Sequence, residues 1–135
     1  MSGVVVVGYI PTPEGIAAFE RAKDEAVLAG ATLVVVNAGQ SGNFAGSTFA
    51  SPADIDAIDV ELSDAGIAHE VIQATDALAP AEEILRVAAE KDASLIVIGV
   101  RHRTPVGKLL LGSTSQQVLL DAQCPVLAVK AARTG

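Results

Sequence analysis

The sequence has no tryptophan, one tyrosine and three phenylalanines, so a core cannot be organised around large rings. Its apolar half is mainly Ala, Val, Leu and Ile. That mix suits buried parallel strands covered by Ala-rich helices. Cys124 is the only cysteine, which excludes an internal disulfide. With just two histidines beside it, a metal site of usual ligation is not expected. Basic residues are few: nine Lys and Arg against sixteen Asp and Glu leave a net charge of −7. An acidic surface repels nucleic acid and anionic lipid, so neither is expected as a partner. No apolar run reaches membrane-spanning length. The run Val4 to Val7 is too short for a signal-peptide core and is followed at once by Gly8 and Tyr9. A lone thiol fits a reducing compartment, and a cytoplasmic protein is expected.

What is present is a regular alternation. Val4–Val7 and Thr32–Val36 are β-branched runs that read as strands buried on both faces. Ile67–Gln73 alternates moderately and reads as an edge strand on which His69 is solvated. Ser94–Ile98 and Pro125–Val129 complete five strands. Helices are predicted between them. One starts at the Thr12 cap with Pro13 in the first helical position, and stops at Gly30. A second follows the Ser51 cap and ends at Gly66. A third opens at Pro80 with a core stripe of Ala81, Ile84, Leu85 and Ala88. A fourth is capped by Ser113, with Val118, Leu119 and Ala122 inward. Gly39–Ala50, rich in Gly, Ser and Asn, reads as a mobile loop in which Phe44 and Phe49 are the exceptions. Strands alternating with helices predict an α/β fold: a doubly wound parallel sheet in three layers, one domain over residues 1–135.

In such a sheet ligands bind beyond the carboxyl ends of the strands, at the point where strand order reverses. Three segments qualify: Gly8–Thr12, Val36–Gln40 and Gly99–Thr114. The third is the most informative. Gly99 permits close backbone approach. Gly112 and Ser113 lead into a helix N-terminus, whose free N–H groups and dipole favour an anion, and Ser113 and Thr114 add hydroxyls. Arg101, Arg103 and Lys108 cluster beside His102. On position alone that cluster reads as a solvated loop, with an anion site as the alternative. The Walker A spacing fails, because Gly107-Lys108 is followed by Leu109. The dinucleotide fingerprint is absent after Gly8. No nucleophile-elbow motif supports a Ser–His–acid triad at His69 or His102, and no enzyme is expected.

From Gly99 through Gly112-Ser113-Thr114 to Val118, and again from Cys124 to Val129, the sequence resembles the C-terminal half of universal stress proteins. Val4–Glu14 is similar to that family's first strand and turn, and Ala93–Gly99 to its fourth strand. The resemblance implies a five-stranded parallel sheet in order 3-2-1-4-5, like the adenine nucleotide alpha hydrolases, and a homodimer paired near the last strand. It implies ATP or another adenine nucleotide as ligand, held by Ile10, Thr12, Val36, Gly99, Arg101, His102, Gly112, Ser113 and Thr114. The family's binders share Gly, two residues, Gly, nine residues, Gly, then Ser or Thr. Gly99 and Gly112-Ser113 match, while His102 replaces the middle glycine. Ile10 stands where binders usually carry Asp. A nucleotide-free dimerisation module is therefore the alternative to a nucleotide-binding one. Slow hydrolysis comes last, for want of an identifiable base.

Overall fold

The computed structural model describes residues 3–38, 50–74, 79–100 and 112–131. The loop reading of Gly39–Ala50, apart from Ala50 itself, and the site residues Arg101 and His102 lie outside these. Nine elements alternate: β1 (Val4–Gly8), α1 (Pro13–Ala29), β2 (Thr32–Ala38), α2 (Pro52–Asp64), β3 (His69–Ala74), α3 (Pro80–Glu90), β4 (Leu95–Val100), α4 (Ser113–Asp121) and β5 (Val126–Lys130). The sheet is parallel in order β3-β2-β1-β4-β5, as the resemblance implied.

Local chemistry sets most boundaries. The Thr12 hydroxyl accepts the Gly15 N–H at 3.1 Å, which caps α1. Gly30 ends that helix at φ 61°, where a side chain would be strained. Ser51 and Asp54 form a reciprocal capping box at the start of α2. Two cores result. Leu33, Val5, Val7, Val35 and Val97 face α1 and α2, packing on Phe19 and Leu62. Val6, Val34, Val36, Ile96 and Ile98 face α3 and α4, packing on Ile84 and Val118. The valine runs are buried on both faces, as their lack of alternation predicts.

Several expectations are corrected. β4 runs on through Gly99 and Val100 instead of ending at Ile98, because both pair with β5. β2 extends past Val36 to take in Asn37 and Ala38, which pair with Gln73 and Ala74. Gly112, not Ser113, is the N-cap residue of α4; Ser113 is the first helical residue and makes no side-chain cap bond. Leu119 is 40% exposed and does not face the core. On α3, Val87 is fully buried while Leu85 packs only partly, so the apolar stripe lies slightly rotated from the predicted one. Cys124 packs partly against the second core, and burial raises its thiol pKa.

His69 is not simply solvated. Its Nδ1 lies 2.8 Å from the Ile67 carbonyl and its Nε2 lies 2.7 Å from Asp59 of α2. Both neighbours are acceptors, so only the doubly protonated ring satisfies both. The Ile67 carbonyl, then Asp59, accordingly raises the pKa of His69 against a smaller opposing effect of burial. The contribution to stability is complete below the unfolded value of about 6.5 and is lost as pH rises through the higher folded value. His69→Gln should lower the urea midpoint more at pH 5.5 than at pH 8.5. An equal loss at both pH values would contradict the charged clamp.

Candidate functional site

The chain reverses direction across the sheet between β1 and β4, the two strands that flank the switch point. A cleft of about 280 Å³ opens there at the carboxyl ends of the strands. Gly8, Tyr9 and Ile10 from the end of β1 form one wall, with Val36 from β2. Ile98 and Gly99 come from β4, and Pro80 and Ile84 from the first turns of α3. Glu14 and Gly15 of α1 and Gly112–Ser115 at the start of α4 complete it.

Two kinds of surface meet in this cleft. Ile10, Val36, Ile84 and Ile98 are aliphatic. The other side carries the Ser113, Thr114 and Ser115 hydroxyls together with the leading backbone N–H groups of α4, which an α-helix leaves without internal partners. No acidic residue stands in the first turn of α4, so the positive end of its dipole is not offset there. Ser115 is buried, and its hydroxyl reaches toward the Gly99 carbonyl at 3.5 Å.

Of the residues singled out in the sequence, Ile10, Val36, Gly99, Gly112, Ser113 and Thr114 are brought together on this cleft. Thr12 is not among its lining residues; its hydroxyl is engaged in capping α1. Gly99 has a second reason to be glycine. A Cβ there would lie 2.3 Å from the Glu14 carbonyl oxygen, so the bare backbone lets the first turn of α1 rest on β4. Gly15 is similar, since a Cβ would fall 1.9 Å from the Ile10 carbonyl oxygen. Around Gly112 nothing among the described residues lies within 4 Å of an added Cβ.

Sequence reasoning missed Glu14, Gly15, Pro80, Ile84, Ile98 and Ser115 as lining residues, and it covered Tyr9 only as part of the Gly8–Thr12 segment. A signal existed for several of them. In a parallel sheet every following helix starts at the carboxyl edge, so the prolines that mark helix starts also mark the rim of the cleft. Asn37, within the Val36–Gln40 segment, was not singled out, although it ends a valine run. It is fully buried behind Tyr9, donates to the Tyr9 carbonyl at 2.8 Å and accepts from the Ala50 N–H at 2.9 Å. Gln73 Nε2 donates to the same Asn37 oxygen at 3.1 Å and to the Ala50 carbonyl at 2.7 Å. The Tyr9 ring meets Phe19 edge-on at 6.0 Å, and burial, followed by the charge of Asp54, raises its pKa.

Comparison with known proteins agrees with this architecture. A universal stress protein of Mycolicibacterium smegmatis is 42% identical over 127 residues, covering 94% of this chain and 97% of that one. A universal stress protein of Archaeoglobus fulgidus, solved in complex with dAMP, superposes with a TM-score of 0.62 at 26% identity, over 96% of this chain and 98% of that one. A universal stress protein solved in complex with cAMP gives a TM-score of 0.65 at 27% identity, over 97% and 98% of the two chains. The sequence pattern of the Universal stress protein family matches residues 1–130. With the strand order and the cleft at the β1–β4 crevice, this match makes the chain a member of the universal stress protein family.

Proposed function

We propose that the cleft binds an adenine nucleotide, ATP or a smaller relative, and that the chain works as one binding module of the cytoplasm rather than as a catalyst. The observation that carries this reading is the pairing of an aliphatic pocket with a helix N-terminus whose first turn carries no acidic residue, at the switch point. Ile10 is partly exposed and suits the face of a purine and its sugar, with Val36, Ile84 and Ile98 as buried aliphatic lining. The α4 N–H groups and the Ser113 and Thr114 hydroxyls suit phosphate oxygens. The two relatives solved with dAMP and cAMP support the same ligand class. Tyr9 and Glu14 are the titratable side chains among the described lining residues. His69 sits across the sheet against Asp59, away from the cleft.

Ile10 bears on affinity. It offers no acceptor to a ribose hydroxyl, where the family's binders usually carry Asp. One such hydrogen bond is worth about 0.5–1.5 kcal/mol, or up to roughly tenfold in affinity. Calorimetry should therefore show ATP binding by the native chain and several-fold tighter binding by Ile10→Asp. No heat of binding from either protein would leave the nucleotide-free module as the better reading.

We also infer a homodimer. β5 lies at the edge of the sheet with one side of its backbone unpaired among the described residues. Nearby α4 leaves Leu120 82% exposed. Pairing with a second copy along β5 covers such an edge. Light scattering at micromolar concentration should give the mass of two chains; the mass of one would exclude this pairing.

A further inference from the structure

We infer that Asn37 is a positioning residue for the ligand cleft: by holding the Tyr9 carbonyl, it sets the Tyr9–Ile10 wall against the segment that enters α2. The inference rests on reading the cleft as a nucleotide site, and it is carried by a buried junction that reading does not use. Asn37 is completely inaccessible. Its amide orientation is fixed by two backbone groups whose roles are unambiguous. The Tyr9 carbonyl can only accept, so Nδ2 faces it, at 2.8 Å. The Ala50 N–H can only donate, so Oδ1 faces it, at 2.9 Å. Gln73 of β3 closes the junction with bonds to Asn37 Oδ1 and the Ala50 carbonyl.

The consequence reaches the cleft through the backbone. Tyr9 and Ile10 line it, and the Tyr9 N–H is already bonded to the Val36 carbonyl at 2.9 Å. Asn37 thus fixes the second backbone polar group of Tyr9. With both held, the Ile10 side chain is presented at one depth in the cleft. With only the first held, the turn between β1 and α1 can rotate about Tyr9. Asn is suited to this post because it donates and accepts from one planar group. Aspartate at the same place keeps the acceptor for the Ala50 N–H but sets a carboxylate oxygen against the Tyr9 carbonyl, which removes the Tyr9 bond.

The chain supplies its own probe. Tyr9 is the only tyrosine and there is no tryptophan, so emission excited at tyrosine wavelengths comes from this one residue, whose ring packs on Phe19 beside the wall. In Asn37→Asp, acrylamide should quench that emission more strongly than in the native protein. The same variant should bind ATP about tenfold more weakly or worse, the effect of a buried acceptor left unpaired on the wall. Gln73→Leu removes the partly exposed end of the junction and keeps the Tyr9 bond, so its quenching and affinity should match the native values. Unchanged quenching in a folded Asn37→Asp would overturn the inference, as would a loss of melting temperature with quenching and affinity both intact. Equal effects from Gln73→Leu would also overturn it, since they would show general loosening. If Asn37→Asp fails to fold, Asn37→Ser takes its place with the same expected outcomes. The native Ala50 amide should in addition exchange its hydrogen slowly, and exchange at the intrinsic rate would overturn the junction itself. If the native protein binds no ATP, the nucleotide reading fails on its own, while Tyr9 quenching still decides whether Asn37 holds the wall.

Discussion

Gly99→Ala is expected to lower the stability of the protein by about 3 kcal/mol or more, at the upper end of overpacking effects. The new methyl carbon would lie 2.3 Å from the Glu14 carbonyl oxygen and 2.6 Å from its carbonyl carbon. Both are backbone atoms of the first turn of α1, so no rotamer change relieves the contact. The helix must move off β4 as a body. That movement also carries Glu14 and Gly15, which line the cleft, so ligand affinity should fall with stability. Urea denaturation reads the first effect as a lower midpoint. A loss below about 1 kcal/mol would mean that α1 does not rest on β4 as described.

Gly112→Val should do the reverse: leave the fold alone and abolish nucleotide binding. Gly112 sits at φ −69° and ψ 164°, an extended conformation that a β-branched residue adopts readily. No described atom lies within 4 Å of an added Cβ. Stability should stay within about 0.5 kcal/mol of the native value, as for substitutions into open space. The valine side chain would occupy room beside the leading N–H groups of α4, where a phosphate has to approach. ATP binding should then fall below detection by calorimetry. Tight binding that survives in the folded variant would place the ligand elsewhere. The contrast between the two glycines is itself informative: one is glycine for the packing of a helix on a strand, the other for the space in front of it.

The sequence made local decisions legible and left distant ones hidden. Thr12-Pro13, Ser51-Pro52 and Pro80 marked helix starts correctly because a cap and a first-turn proline act within three or four residues. Gly30 marked a stop for the same reason. Unbroken valine runs revealed strands buried on both faces. The end of β4 was misjudged because glycine usually ends a run, whereas pairing with β5 carries the strand through Gly99. The site was legible as three segments at one edge of the sheet, and six of the selected residues do line one cleft. The role of Asn37 was not legible, because its partners Tyr9, Ala50 and Gln73 stand 28, 13 and 36 residues away. Nor was the Glu14 contact that explains Gly99. His69 was read as solvated because Asp59, ten residues earlier on another element, gave no periodic sign of its nearness.

The strand order also has a bearing on how the chain is made. β1 is the middle strand, yet its two neighbours leave the ribosome at very different times. β2 follows it closely, and β3 can add to β2, so a three-stranded half-sheet becomes possible once Ala74 has emerged. The other side of β1, whose core is Val5, Val6 and Val7, must wait for Leu95, Ile96 and Val97. At the usual pace of synthesis that delay lasts on the order of seconds. Throughout it, a strand that begins with four consecutive valines has an open edge in the nascent chain, the period in which a chaperone or a neighbouring polysome has most to pair with.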